Sequence, residues 1–366
     1  MLNSNSVENS SNIEQKTAKK KLNLLQVFRG LAALLVVLCH SCLIFDQNLN
    51  QPFLSNIFLF GASGVDLFFV ISGFIIFHIH SKDIGKPTKL KDFFWKRFVR
   101  VYPLYWLILT LKILTSIGEL SSDKNPQSFL EIGKAYLLFP QETEIIEKFI
   151  GVSWTLSYEI FFYIMFGLLI YFKPKFSVSI IVPWLSIVFF NFVGIIKIPQ
   201  DIFLLDFLFN RIHIEFLFGV LCSYLVSKYK ITYGSTLLYV GIFLFTLSAI
   251  SYNYKIITLS SRVISFGIPA LLIILGSVAL EMRKAIAPPH VLILLGDASY
   301  STYLIHSFVI NNLTKAAIKL GIVDFLTQNS FIFSLFAIIN TIVTLLAGVA
   351  FYLCLEKPLL SFMKRK

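Results

Sequence analysis

Charge is what this sequence has least of. Only 14% of its 366 residues are Asp, Glu, Lys or Arg, against about 25% in an ordinary soluble domain, so the chain lacks the polar surface that a water-facing fold requires. Hydrophobic residues make up 56% and aromatic residues 16%, and mean hydropathy is +0.77. A soluble globular fold is excluded, and the sequence reads as an all-α polytopic membrane protein. Acidic residues are scarcer than basic ones, 20 against 32. The basic residues fall in short segments between apolar runs, as positive-inside topology places them, which excludes nucleic acid as a partner and leaves the bilayer. Cysteine is scarce too: Cys39, Cys42, Cys222 and Cys354 all lie within apolar runs with no secreted-type spacing, which excludes a disulfide framework. Cys39-His40-Ser41-Cys42 offers too few ligands on one helix for a closed zinc site, so no metal is expected.

What the chain has in abundance is apolar runs of bilayer length. The first, Leu24 to Ile44, is followed by others at about 57–77, 102–117, 153–172, 176–196, 212–228, 233–250, 262–280, 291–311 and 329–355, which predicts a bundle of about ten transmembrane helices. Residues 1–20 are rich in Asn, Ser, Lys and Glu and predict a disordered cytoplasmic tail. The membrane domain then runs over 21–366. No small-residue cleavage pattern closes the first run, so it stays as an anchor rather than a signal peptide. Lys and Arg counted by alternate loops divide 21 against nine in favour of the N-terminal side, which predicts both termini in the cytoplasm and a multi-pass protein of the plasma (inner) membrane. The 118–152 loop, with Glu119, Asp123, Glu131, Glu142, Glu144 and Glu147, is expected as an acidic surface on the opposite side.

Ionisable residues inside such spans are costly and therefore informative. Arg29 and His40 lie eleven positions apart in the first span; at about 100° per residue they share one helix face, separated by about 16 Å of rise. Asp66 sits near mid-membrane in a stretch of small residues, either paired with a buried Arg, capping a helix broken at the glycines, or functional. Arg97 and Arg100, three apart, form a guanidinium fork suited to the phosphates of a cytoplasmic ligand, beside the plainer role of a basic anchor. Pro103 fits the start of the next helix. Glu159, counted from a helix beginning near Ser153, falls at the depth of His40, where the two make either an acid–base pair or a structural hydrogen bond. Glu215 ranks below Glu159. Asp297 suits a helix N-terminus, and Tyr300, Tyr303 and His306 form a polar stripe rising from it.

Arg29 with His40, GVDLFFVISGF at 64–74, KRFVRVYPLY at 96–105, SWTLSYEIFFY at 153–163, HIEFLFG at 213–219 and GDASYSTYLIH at 296–306 together resemble the integral-membrane acyltransferase-3 family, in order from about Leu22 to Phe362. The resemblance implies O-acylation of extracytoplasmic glycans such as exopolysaccharide or the lipopolysaccharide O-antigen. It implies an acyl-CoA donor, acetyl-CoA first, delivering an acetyl or succinyl group to a sugar hydroxyl. It assigns Arg29 and His40 as the essential pair and matches Arg97 and Arg100 to a basic motif. On this reading His40 is the base, Glu159 orients it, and Arg29 with Arg97, Arg100 and Asp66 serves the donor. Some members append a secreted hydrolase-like domain; this sequence ends at Lys366 after the tenth span, so transfer falls to the membrane domain or a partner. Two other classes fit the buried charges alone: a glycolipid or polysaccharide transporter or flippase, and a pH-gated sensor. The sequence offers no broken-helix pairs in matching halves, which counts against transport.

The division of basic residues is testable by fusion. A reporter active only outside the cytoplasm should be active at Lys124 or Lys148 and silent at Lys89 or Lys284; the reverse pattern would put Arg97 and Arg100 on the face opposite a cytoplasmic donor.

Overall fold

The structure, a computed structural model, describes residues 22–115, 128–256 and 261–364, and the expected tail at 1–20 lies outside them. Every regular element among the described residues is helical. Ten long helices organise the chain: α1 Asn23–Leu49, α2 Gly64–His80, α3 Leu90–Thr115, α4 Trp154–Tyr171, α5 Pro174–Phe192, α6 His213–Lys228, α7 Gly234–Tyr254, α8 Ile268–Arg283, α9 Ser299–Lys319 and α10 Ser330–Phe351. Each expected apolar run falls on one of them. Eight helical segments among the described residues are long and apolar enough to cross a membrane. The other two are the polar members of the set: α6 has only 16 residues and buries His213 and Glu215, and α9 buries Ser299, Ser301, Thr302, His306 and Thr314. Helices carrying such side chains belong inside the bundle, where neighbours satisfy them.

Between helices in lipid there is little hydrophobic drive, so close packing must come from small residues. The α2–α6 crossing shows this directly. A Cβ at Gly73 would stand 2.0 Å from the Phe216 carbonyl oxygen, and one at Gly219 would stand 2.0 Å from that of Val70. These backbones touch. The α1 helix meets its neighbours in the same way, with Gly64 against the Ala32 carbonyl and Gly296 against that of Gln26. The resulting core has two main parts: one where α3, α4 and α9 meet, around Tyr105, Leu109 and Phe162, and one where α2, α6 and α8 meet, around Val70, Phe74 and Ile274.

Three local features differ from the sequence expectation. Pro103 does not open a helix; α3 begins at Leu90 and runs through it, forgoing the one hydrogen bond a proline cannot give. The run at 291–311 is broken, with a short helix His290–Asp297 ending at Ala298 before α9 begins. The loop at 118–152 is not wholly a surface: residues 116–127 lie outside the described set, while Phe129–Tyr136 folds back along the middle of α3. There Tyr105 Oη donates to the Ala135 carbonyl at 2.8 Å and Trp106 Nε1 to that of Tyr136 at 2.8 Å. Glu142, Glu144 and Glu147 do stay exposed. Cys39 and Cys42 pack as small core residues, their thiols directed at the Leu59 and Phe53 carbonyls.

Gly73→Ala should force α2 from α6 and lower the thermal midpoint in detergent, by the 1–3 kcal/mol or so typical of overpacking. Gly133→Ala, where an added Cβ meets nothing within 4 Å, should instead be neutral or gain up to about 1 kcal/mol of helix propensity. Equal effects at the two positions would refute the close-contact account.

Candidate active site

Arg29, Arg97, Arg100 and Glu159 come together on one cavity of about 900 Å³ that lies between α1, α2, α3, α4 and the start of α9. Its polar end is set by α1 and by the charged first turns of α3. Arg29 donates from Nη1 to Gln26 Oε1 one turn back at 3.1 Å. Arg97 lies 5.8 Å from the centre of the Tyr163 ring, and its buried Nε has no partner. Among the described residues neither guanidinium has a carboxylate within ion-pair distance.

Arg100 differs from its fork partner. It is ion-paired with Glu356 and sits 5.2 Å over the Tyr300 ring, while the other Glu356 oxygen accepts from Ser301 Oγ at 2.6 Å. Glu356 was not singled out in the sequence. It ends a single π-helical stretch, Tyr352–Glu356, that follows α10, and such stretches rotate the chain so that one side chain takes a new direction. Its only sequence signal is a lone acid closing a long apolar run.

Glu159 lines the cavity but is not beside His40. Its Oε1 accepts from Ser72 Oγ at 2.8 Å and from the Tyr163 hydroxyl. The expected pairing fails because Glu159 turns to Ser72 and Tyr163; just before its helix Val152 and Ser153 are buried, and the Val152 carbonyl accepts from Tyr303 Oη.

His40 is instead paired with His306, ring centroids 4.7 Å apart and nearly perpendicular. Neither lines the cavity. His40 Nδ1 lies 2.9 Å from the Val36 carbonyl and His306 Nδ1 lies 2.7 Å from that of Tyr303. A carbonyl oxygen only accepts, so each Nδ1 carries the hydrogen and each neutral ring keeps its lone pair on Nε2. The Nε2 of His306 is buried without a partner. Two imidazoles with free lone pairs thus stand behind Tyr303, whose own ring is on the cavity wall and 5.9 Å from His306.

Asp66, expected to serve the donor, does not line the cavity. Arg262 clamps it, Nε donating at 3.0 and 2.9 Å to its two oxygens and Nη2 at 2.7 Å. The sequence left open a pairing with a buried Arg; the partner is an arginine, but one 39% exposed at the edge of the bundle, while Asp66 itself is buried. Arg262 had been counted with the outer loops; a second π-helical stretch, Val263–Gly267, directly follows it and sets it against α2. Glu215 acts on the same guanidinium, its carboxyl buried against Gly267.

The chain is thus a helical membrane protein with three arginines and Glu159 on one cavity and a pair of imidazoles packed next to its Tyr303 wall. The family comparison gives that class its name. Residues 22–353 match the family model described as an acyltransferase domain, and the chain belongs to that family. It is 29% identical over 311 residues to the exopolysaccharide production protein ExoZ of Rhizobium meliloti, covering 83% of this chain and 90% of that protein. It is also 39% identical over 89 residues to protein 2 in the picA locus of Rhizobium radiobacter, covering 24% of this chain and 42% of that protein. No solved structure matches the chain. The protein is a multi-pass membrane acyltransferase.

Replacing Arg262 with Met would leave Asp66 and Glu215 buried together without a counter-charge. The expected loss is about 3 kcal/mol, the low end for breaking a buried pair because the guanidinium, 39% exposed, reaches the edge of the bundle. The readout is the yield and melting of the purified protein, and an unchanged melting curve would show that the clamp is not what holds α2.

Proposed function

We propose that this acyltransferase moves an acetyl or succinyl group from a cytoplasmic acyl-CoA, acetyl-CoA first, to a hydroxyl of an extracytoplasmic polysaccharide. Both termini then face the cytoplasm from the inner membrane, and residues 21–366 act as one acyltransferase domain. The acceptor class is taken from the relative named for exopolysaccharide production. The observation that carries the donor class is the pair of guanidiniums, Arg29 and Arg97, held on the cavity without carboxylate partners. Arginines on a cavity at membrane depth with no carboxylate in ion-pair contact, Glu356, Glu159 and Asp297 reaching Arg29 only from a distance, favour an anion there, and phosphates suit guanidinium forks.

In this reading the phosphates of the donor meet Arg29 and Arg97, Arg100 stays neutralised by Glu356, and the pantetheine arm runs up the apolar α2 wall past Glu159. His40 Nε2 accepts the proton of the sugar hydroxyl as its oxygen attacks the thioester carbonyl; the C–O bond forms, the C–S bond breaks, and CoA leaves as the thiolate. A covalent acyl-histidine would use the same lone pair. Asp66 acts at a distance, holding α2 in place through Arg262.

Binding and transfer separate these roles. Arg29→Gln with Arg97→Gln should weaken acyl-CoA binding, by about 1.5–3 kcal/mol for each lost charged hydrogen bond. His40→Ala should bind acyl-CoA normally and lose transfer by a factor of about 10² to 10⁴. Near-normal transfer by His40→Ala would send the search for the base to His306.

A further inference from the structure

Phe68 and Tyr303 form the stretch of cavity wall next to His306. Phe68, from α2, lines the cavity and meets the ring of Tyr303, from α9, edge to face at 5.6 Å. Tyr303 is 5% exposed, and its hydroxyl is held by Thr155 Oγ1 at 2.8 Å and by the Val152 carbonyl at 3.3 Å. Behind it stands His306, with its Nδ1 on the Tyr303 carbonyl, and behind His306 stands His40. Three elements meet at this ring: α2 through Phe68, the start of α4 through Thr155, and α9 itself.

We propose that Phe68 and Tyr303 select the acyl group by size, admitting acetyl to His40 and turning away four-carbon and longer groups, so that of the two groups named above acetyl is the one transferred. The inference rests on the reading of the cavity as the acyl-donor site. With the phosphates at the guanidinium end, the thioester is the leading end of the donor, and the acyl group is its tip. That tip must pass the Phe68–Tyr303 contact before the carbonyl carbon comes within reach of His40. The wall has little freedom to widen: the Tyr303 hydroxyl is held between Thr155 Oγ1 and the Val152 carbonyl on the α4 side, and the Tyr303 carbonyl is bound by His306 Nδ1. Interiors packed in this way resist even single methylenes. A two-carbon group needs only a small displacement of the Phe68 ring, whereas a longer chain would have to break the Tyr303–Thr155 hydrogen bond.

The test uses the full chain in lipid nanodiscs with acetyl-, butyryl- and octanoyl-CoA. Relative kcat/KM is measured for each donor, and CoA binding is measured separately by competition. Wild type should prefer acetyl. Phe68→Ala should raise the butyryl-to-acetyl ratio by about 10- to 100-fold, the range that one or two methylenes command in a pocket, with CoA affinity unchanged. Phe68→Leu, which keeps more of the packing, should move the ratio part of the way and serves if the alanine variant does not fold. Tyr303→Phe, which frees the ring from Thr155, should broaden the profile as well. An unchanged ratio in any Phe68 variant that still binds CoA overturns the proposal. Failure of wild type itself to bind acyl-CoA would overturn the donor reading, and this inference with it.

Discussion

The clamp of Arg262 on Asp66 is the interaction on which the arrangement of helices depends. A charge in hydrocarbon must find its partner within the bundle, and this pair joins a carboxylate near the start of α2 to a guanidinium that closes the loop before α8. The α2 helix packs between α6, α1 and α8: α6 lies against its glycines, α1 crosses its first turn, and its other face forms the cavity wall through Val65, Phe68, Ser72 and Ile75. Holding one end of α2 by a two-pronged hydrogen-bonded ion pair therefore fixes the position of Phe68 and Ser72 as well.

The same constraint explains the charge pattern around the cavity. Of its three arginines one is neutralised outright, by Glu356 on the far side of α10. That pairing needs a local rotation of the helix, supplied by the π-helical stretch at Tyr352–Glu356, just as the stretch at Val263–Gly267 follows Arg262. Both irregular turns stand next to buried ion pairs, and a regular α-helix continued through either position would turn its charged side chain elsewhere. Arg29 and Arg97 are left without such partners, and the asymmetry between Arg97 and Arg100 divides a fork that looked symmetrical into one arginine without a carboxylate in contact and one ion-paired with Glu356.

Much of this was legible in the sequence. An apolar run marks each of the ten long helices, and in eight of them it has the length and hydropathy that lipid demands, α6 and α9 being the polar exceptions. The Arg29 cavity and the His40–His306 region follow from the expense of charge and imidazole at membrane depth. Depth itself was not legible. The Glu159–His40 pairing assumed that α4 starts at the surface, but the segment before it packs on α3 and ends buried at Val152 and Ser153, and Glu159 turns to Ser72 and Tyr163. Nothing in the local pattern of that segment distinguishes a lid from a filler. Partner choice was equally hidden: Asp66 was recognisable as buried, but Arg262 and Glu356 lie 196 and 256 positions from the residues they neutralise, and only packing brings them together.

Tyr303 concentrates several of these requirements in one side chain. Its hydroxyl secures the start of α4, its ring meets Phe68 on the cavity side, and its carbonyl fixes the tautomer of His306, whose ring in turn rests against His40. In such an arrangement the wall between the cavity and the imidazoles cannot shift without also disturbing the hydrogen bond that leaves Nε2 unprotonated. A movement of the Tyr303 ring would therefore reach His306 and, through it, His40. The cavity lining and the orientation of the imidazoles are thus one structural condition, met by the same few contacts between α2, α4 and α9.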